Sequence, residues 1–385
     1  MLAPFLLLFS LSFSVVINGS EGRKRFQDLD LEQVRILNKP FLKSIKTEGG
    51  HSFDCLDIHK QPDFDHPLLK SHQIQMKPSS SQEGLISANS PSKSLETPML
   101  KNGGCPSGTV PIRRANKGEL IRAKLFKKRH MTDIHPTASN SPGFHAILLS
   151  FPLHNIVKNA IRMLANDLRR KYLGAGGLIN VQNPSVSNTQ FSEAFVRIQS
   201  SSADQIESIQ AGWMVNPSLD GDNLTPLCAQ WTANKQGCYN TLCPGFVQLS
   251  KDIPLGSFFL PSVHGGKQND FTCNIFKDPK SGNWWLSFGD DDQIGYWPMK
   301  LALPWEVASL PVQGMTKAAY IKELQIADES CKRGPPDPKS LKFITDKPSC
   351  YDTAPINGDA NGFFYGGPGG NCKHKLNAYS RICIS

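Results

Sequence analysis

The chain has 385 residues, 39% of them hydrophobic and 19% charged. That is too apolar for a disordered chain, too polar for a protein of many membrane spans, and long enough for a sizeable core. Lys and Arg (42) outnumber Asp and Glu (33), a balance that allows nucleic acid, anionic lipid or acidic polymers as partners and selects none of them. The apolar run Pro4 to Ile17, followed by Gly19, Ser20 and the charges of Glu21 and Arg23–Arg25, reads residues 1–20 as a secretory signal peptide. No later segment is long and apolar enough to cross a bilayer, so no stable membrane insertion is expected. Ten cysteines without a C-x-x-C pair fit oxidised pairs better than zinc.

Residues 23–77 read as a small compact unit. Leu29, Leu31, Val34, Ile36 and Leu37 give a helical stripe that Asn38-Lys39-Pro40 stops. His51, His59, His66 and His72 are interleaved with Asp54, Asp57, Asp63 and Asp65. No strict ligand spacing links them, so a pH-responsive polar surface is expected rather than a metal site. Residues 78–99 are rich in Ser and Pro and begin a linker and basic segment over 78–140. Its basic run, Arg122 to Arg129, carries a single aromatic, Phe126. In a secreted chain it reads as an exposed linker, and nucleic acid is not expected as a partner.

From His145 onward, short apolar segments alternate with Gly, Pro, Asn and Asp turns: HAILLS, LINV, FSEAFVRIQ, IQAGWMV, CAQWTA, GFVQL, NWWLSFG and AAYIKELQI. Regular short strands predict a mainly β domain over 141–385, an antiparallel sandwich or barrel. One amphipathic helix is predicted inside it, over 155–172, from Val157, Ala160, Ile161, Leu164 and Leu168. There is no H-E-x-x-H, G-x-S-x-G, P-loop or G-x-G-x-x-G after a strand, and no cofactor or metal is implied. Alternation through IQAGWMV puts Ile209, Ala211, Trp213 and Val215 on one face and Gln210, Gly212 and Met214 on the other. A glycine beside a polar side chain leaves room for another backbone, a hint of a groove.

Several motifs then coincide: DCLDIHKQPDFDHPL (54–68), NGGCPSGTVPIRR (102–114), IQAGWMV (209–215), GCYNTLCPGFVQ (237–248), KDPKSGNWW (277–285), GYWP (295–298) and FYGGPG (364–369). In this order they resemble the plant neprosin family. The resemblance implies a secreted zymogen in which an activation peptide precedes a glutamic-peptidase β-sandwich that cleaves after proline with two glutamates. One ionised carboxylate would activate water while the second group stabilises the oxyanion or protonates the leaving amine, an arrangement suited to acidic pH.

The chain departs from that pattern at both catalytic positions. Gln210 stands where the first glutamate belongs, and the interval that carries the second is shortened to Met299–Met315, whose sole carboxylate is Glu306. Gln210 donates N–H bonds but does not titrate, so a Gln210/Glu306 dyad would need Glu306 as base. The resemblance also implies disulfides Cys55–Cys105, Cys238–Cys243 and Cys350–Cys372. Asn223-Leu224-Thr225 is a glycosylation sequon. The expected function is a secreted, proline-directed glutamic endopeptidase zymogen of impaired activity, a monomer acting on peptide or protein. The competing reading is a non-catalytic sandwich that binds wall polymers or peptides.

Overall fold

A computed structural model describes residues 30–79, 100, 104–130, 162–165, 172–188, 190–202, 205–233, 236–289, 292–301, 308–310, 319–328, 330–344, 352–356 and 359–366. The N-terminal unit opens with helix α1, residues 30–37. Its sheet joins β1 (Lys43–Lys46), β2 (Ser52–Asp57) and β3 (Thr109–Arg113) antiparallel in that order. Phe53, Cys55, Ile45, Leu100 and Cys105 form a private core, stapled by Cys55–Cys105 with Cα atoms 5.5 Å apart. The unit therefore does not close at residue 77, because β3 supplies its third strand.

The main domain is two antiparallel sheets packed face to face. The larger runs β10 (Val247–Gln248), β13 (Asp292–Trp297), β12 (Trp284–Phe288), β11 (Asp270–Lys277), β5 (Gly174–Asn180), β15 (Ala319–Ala327), β19 (Asp359–Gly366) and β18 (Asp352–Ile356), with β16 (Arg333–Gly334) beside β15. The smaller runs β17 (Leu341–Ile344), β4 (Arg162–Ala165), β14 (Ala308–Leu310), β6 (Ser192–Ser202), β7 (Gln205–Val215), β8 (Leu227–Ala233) and β9 (Gln236–Tyr239). Period-2 alternation aims Val196, Ile198, Ile209, Ala211 and Trp213 from the smaller sheet at Phe271, Cys273, Ile275, Leu286 and Phe288 of the larger one. The Trp213 indole Nε1 donates across the gap to the Asn180 carbonyl at 2.9 Å. The expected mainly β, antiparallel two-sheet architecture is thus the one found.

Two expectations fail. The helix predicted over 155–172 is not there at Arg162–Ala165, which is strand β4; residues 155–161 and 166–171 lie outside the described residues. β4 is paired on both edges, to β14 and to β17, so its peptide groups are satisfied by neighbours remote in sequence, and this tertiary pairing overrides the helical stripe. The basic run, in turn, is no exposed linker at its start. Lys117–His130 is helix α2, opened by a reciprocal cap in which the Glu119 N–H donates to the Asn116 side chain and the Asn116 N–H to the Glu119 carboxylate. Leu120 is buried beside Leu37 and Ala115, and Ala123 and Phe126 pack on the sandwich. The predicted HAILLS strand lies outside the described residues.

Candidate active site

β7 is the central ribbon of the site, flanked by β6 and β8. Its odd-numbered side chains enter the inter-sheet core, so the even ones, with their cross-strand partners, form the outer face of the smaller sheet. Across that face Arg197, Gln210 and Gln230 stand in one row. Arg197 and Gln210 are buried. The Arg197 Nη2 donates to Ser208 Oγ at 3.1 Å, and Ser208 shares a 2.9 Å hydrogen bond with Thr232. Gln230 Nε2 is buried with no hydrogen-bond partner among the described residues. The outcome is a buried polar patch with one permanent cation and two amides.

The next row holds Gly212. A Cβ there would lie 1.9 Å from the Ala194 carbonyl oxygen and 2.8 Å from the Phe195 Cα. The backbone that approaches this glycine is that of β6, so the groove that the sequence hinted at is filled by the sheet itself. Beyond it the face turns apolar. Phe195, Met214, Leu219, Cys228 and Tyr239 pack with Ala123 and Phe126, which come from α2. Helix α2 therefore lies on the same sheet face as Gln210.

A second polar cluster locks the N-terminal unit to this region. α3 (Pro217–Asp220) is capped by the Asn216 side chain and closed by Gly221 at φ 87°. Arg122 of α2 donates from Nε to the Leu219 carbonyl at 2.7 Å and from Nη2 to the Asp220 carbonyl at 3.1 Å. Arg113 of β3 lies 2.5 Å from the Glu119 carboxylate and 3.8 Å from that of Asp220, and its Nη2 is 2.8 Å from His51 Nδ1. His51 Nε2 is 2.8 Å from the Asp222 carboxylate. Tyr239 donates to Asp220 at 3.3 Å, and Cys228 lies 2.9 Å from the Tyr239 hydroxyl. Burial pushes the Asp220 carboxyl up to about 7 against the opposing pull of Arg113, and it pushes the Cys228 thiol up as well.

The histidine-rich stretch accordingly is no free polar surface. His51 is engaged as described, His72 lies 2.7 Å from the Tyr296 hydroxyl, and Asp54 and Asp63 are buried; Asp57, His59 and Asp65 are exposed. Asp63 accepts from the Gly245 and Phe246 N–H groups at 2.6 and 2.9 Å, and burial nonetheless lifts its carboxyl to about 7.

Of the residues singled out in the sequence, Gln210 is on the polar face. Glu306 lies outside the described residues. Cys55–Cys105 and Cys238–Cys243 are bonded, the latter with Cα atoms 5.8 Å apart, while Cys350 and Cys372 lie outside the described residues. Asn223 is exposed on the loop after α3. Sequence reasoning missed Arg197 and Glu193, although alternation along FSEAFVRIQ places both on the Gln210 face. Burial raises the Glu193 carboxyl to about 8, against the pull of Arg197. Glu193 sits opposite Met214, four residues along β6 from the partner of Gln210, or about 13 Å at the rise of a strand.

Residues 44–147 match the family model described as the neprosin activation peptide, and residues 188–305 and 307–368 match the Neprosin model. The chain belongs to the neprosin family. Its order, activation peptide before the neprosin domain, is that of a peptidase zymogen family. The activation-peptide match includes β1 to β3 and α2, so the helix on the Gln210 face is part of the neprosin activation peptide. Glu306 falls at the break between the two matched stretches of the domain. Among solved structures, Scytalido-glutamic peptidase with a peptide-based transition-state analog aligns over 54% of this chain and 97% of its own, at 9% identity and a TM-score of 0.34.

The raised carboxyls have a consequence for pH dependence. Asp63, Glu193 and Asp220 keep their protons in the folded chain at pH values where the unfolded chain has lost them. Folding then takes up protons between the ordinary carboxyl range and about pH 7–8, so stability rises as pH falls through that window and is lost as pH rises. The thermal midpoint of the full chain is expected to be a few degrees higher near pH 5 than near pH 7.5, read by differential scanning fluorimetry. A midpoint that is lower near pH 5 than near pH 7.5 would contradict this assignment.

Proposed function

We propose that the chain is a secreted zymogen of a glutamic-type, proline-directed endopeptidase whose activity is impaired at its first catalytic position. The observation that carries this reading is the row Arg197–Gln210–Gln230. It offers hydrogen-bond donors and a positive charge for a developing oxyanion, but an amide at 210 takes no proton from water. The carboxylate that β6 to β8 add to this face among the described residues, Glu193, stands too far along the strand for one shared water. The base would therefore have to be Glu306. The activation peptide's α2, packed on the same face, supports the zymogen reading, and two disulfides support an oxidising, extracellular destination. Among the described residues no helix is long and apolar enough to cross a membrane.

The test is to incubate the secreted protein, acidified, with a proline-rich peptide library and to read products by mass spectrometry. Little or no cleavage is expected, and Gln210→Glu alone is not expected to restore full activity. Strong acid-pH cleavage after proline by the unaltered chain, abolished by Glu306→Gln, would overturn the impaired reading and establish a Gln210/Glu306 dyad.

A further inference from the structure

The outer face of the larger sheet, away from Gln210, carries its own row of large side chains. Val247, Tyr296, Trp285 and Phe276 are successive cross-strand partners on β10, β13, β12 and β11. Its three aromatic members form a continuous platform across β13, β12 and β11, with Val247 of β10 at one end. All four are buried: residues 61–79 of the activation peptide run over the Val247 and Tyr296 end, while the Arg333 guanidinium of β16 lies 4.3 Å over the Phe276 ring. Phe64 packs on the row, and His72 and the Gln75 N–H both reach the Tyr296 hydroxyl, at 2.7 and 3.1 Å. At the far end Asp278 receives Gln75 Nε2 at 3.1 Å and the Ser79 N–H at 2.8 Å.

The near end is the free edge of β10, the terminal strand of the sheet. A free edge offers unpaired N–H and C=O groups to any extended chain. Here side chains imitate that partner strand. Gln61 accepts from the Gln248 N–H through Oε1 and donates to the Gln248 carbonyl through Nε2, each at 2.9 Å, while Asp63 takes the two N–H groups of Gly245 and Phe246. Both side chains are 1% exposed. One polar group under the segment is left over: Trp285 Nε1, on a fully buried residue, has no hydrogen-bond partner among the described residues. The segment thus satisfies the edge but not the platform.

We propose that the β10 edge and the Val247–Tyr296–Trp285–Phe276 row form a peptide-binding site separate from the Gln210 face, filled in the zymogen by residues 61–79. Its ligand class is a peptide that folds into a short 3-10 turn, as Pro62–Asp65 does, presenting an amide side chain and, two residues on, a carboxylate to the edge, with an aromatic residue next to lie on the row. This recognition by strand edge and aromatic platform does not depend on whether the Gln210 face is catalytic.

The experiment uses the full chain and a fluorescein-labelled synthetic peptide of residues 58–79, with binding followed by fluorescence anisotropy. In the wild-type chain the site is filled from within, at high effective concentration. The doubly substituted chain Gln61→Ala, Asp63→Ala is expected to bind the labelled peptide at least tenfold more tightly than wild type. A peptide carrying the same two substitutions is expected to bind that chain at least tenfold more weakly than the natural peptide. The Gln75→Ala chain, altered at one half-buried contact, should fall between wild type and the double variant, and serves alone should the double variant fail to fold. Equal binding of the natural and substituted peptides, or no binding to any of these chains, would overturn the proposal.

Discussion

Arg113→Ala is expected to destabilise the full chain by about 3–5 kcal/mol, the cost of removing one partner from a buried charge cluster. Arg113 comes from β3 of the activation peptide and is the cation between Glu119 and Asp220, all three of them largely shielded from water. Without it, two carboxyls face one another in a poorly solvated site, and His51 loses a neighbour on Nδ1. The effect has a pH signature. Asp220 already holds its proton up to about 7, with Arg113 as the largest opposing influence, ahead of the Tyr239 hydroxyl. In the variant that opposition is gone, so the loss should be largest above pH 7 and shrink as pH falls and the carboxyl becomes neutral. Chemical denaturation of wild type and variant near pH 8 and pH 5 measures both parts. A loss below about 1 kcal/mol near pH 8 would mean that the cluster is solvated rather than a lock.

Trp213→Ala is the second large change, expected to cost about 3–5 kcal/mol through a cavity between the sheets. Trp213 is 2% exposed and its indole is the polar tie from the smaller sheet to the Asn180 carbonyl of β5. The substitution removes the volume and the donor together. Trp213→Phe keeps much of the volume and loses the donor, so it should cost less, about 1–3 kcal/mol for an unpaired buried acceptor. Denaturant midpoints of the two variants give the comparison. Equal costs would show that the hydrogen bond, not the packing, carries the stability of this contact.

Much of the sandwich is legible in the sequence because a strand half-buried in a two-sheet core must alternate. IQAGWMV and FSEAFVRIQ fix which side chains enter the core and which form the outer face, and the same alternation already sets Arg197 and Glu193 on the Gln210 face. The basic run shows the limit of composition. Arg122 to Arg129 reads as a solvated linker, yet Ala123 and Phe126 lie on one side of a helix and Arg122 caps the carbonyls of α3, a partner almost a hundred residues away. Residues 162–165 show the limit of periodicity, since a short stripe of Ile, Leu and Ala fits a helix and a strand alike until neighbours supply edges to pair with.

By itself the sequence determined the antiparallel β class, the faces of the central strands, two disulfide pairings through family resemblance, and the amide at position 210. These follow from local chemistry: side-chain period, cysteine usage and the identity of one residue. Only the tertiary structure decided that β3 closes the N-terminal unit, that α2 lies on the Gln210 face, and that residues 61–79 cover the opposite side of the molecule. Each of those depends on groups far apart in sequence meeting at one place, Gln61 with Gln248 or Arg113 with Asp220. Such meetings are set by how whole sheets pack and by which buried polar groups then need partners, and no local pattern in the chain encodes them.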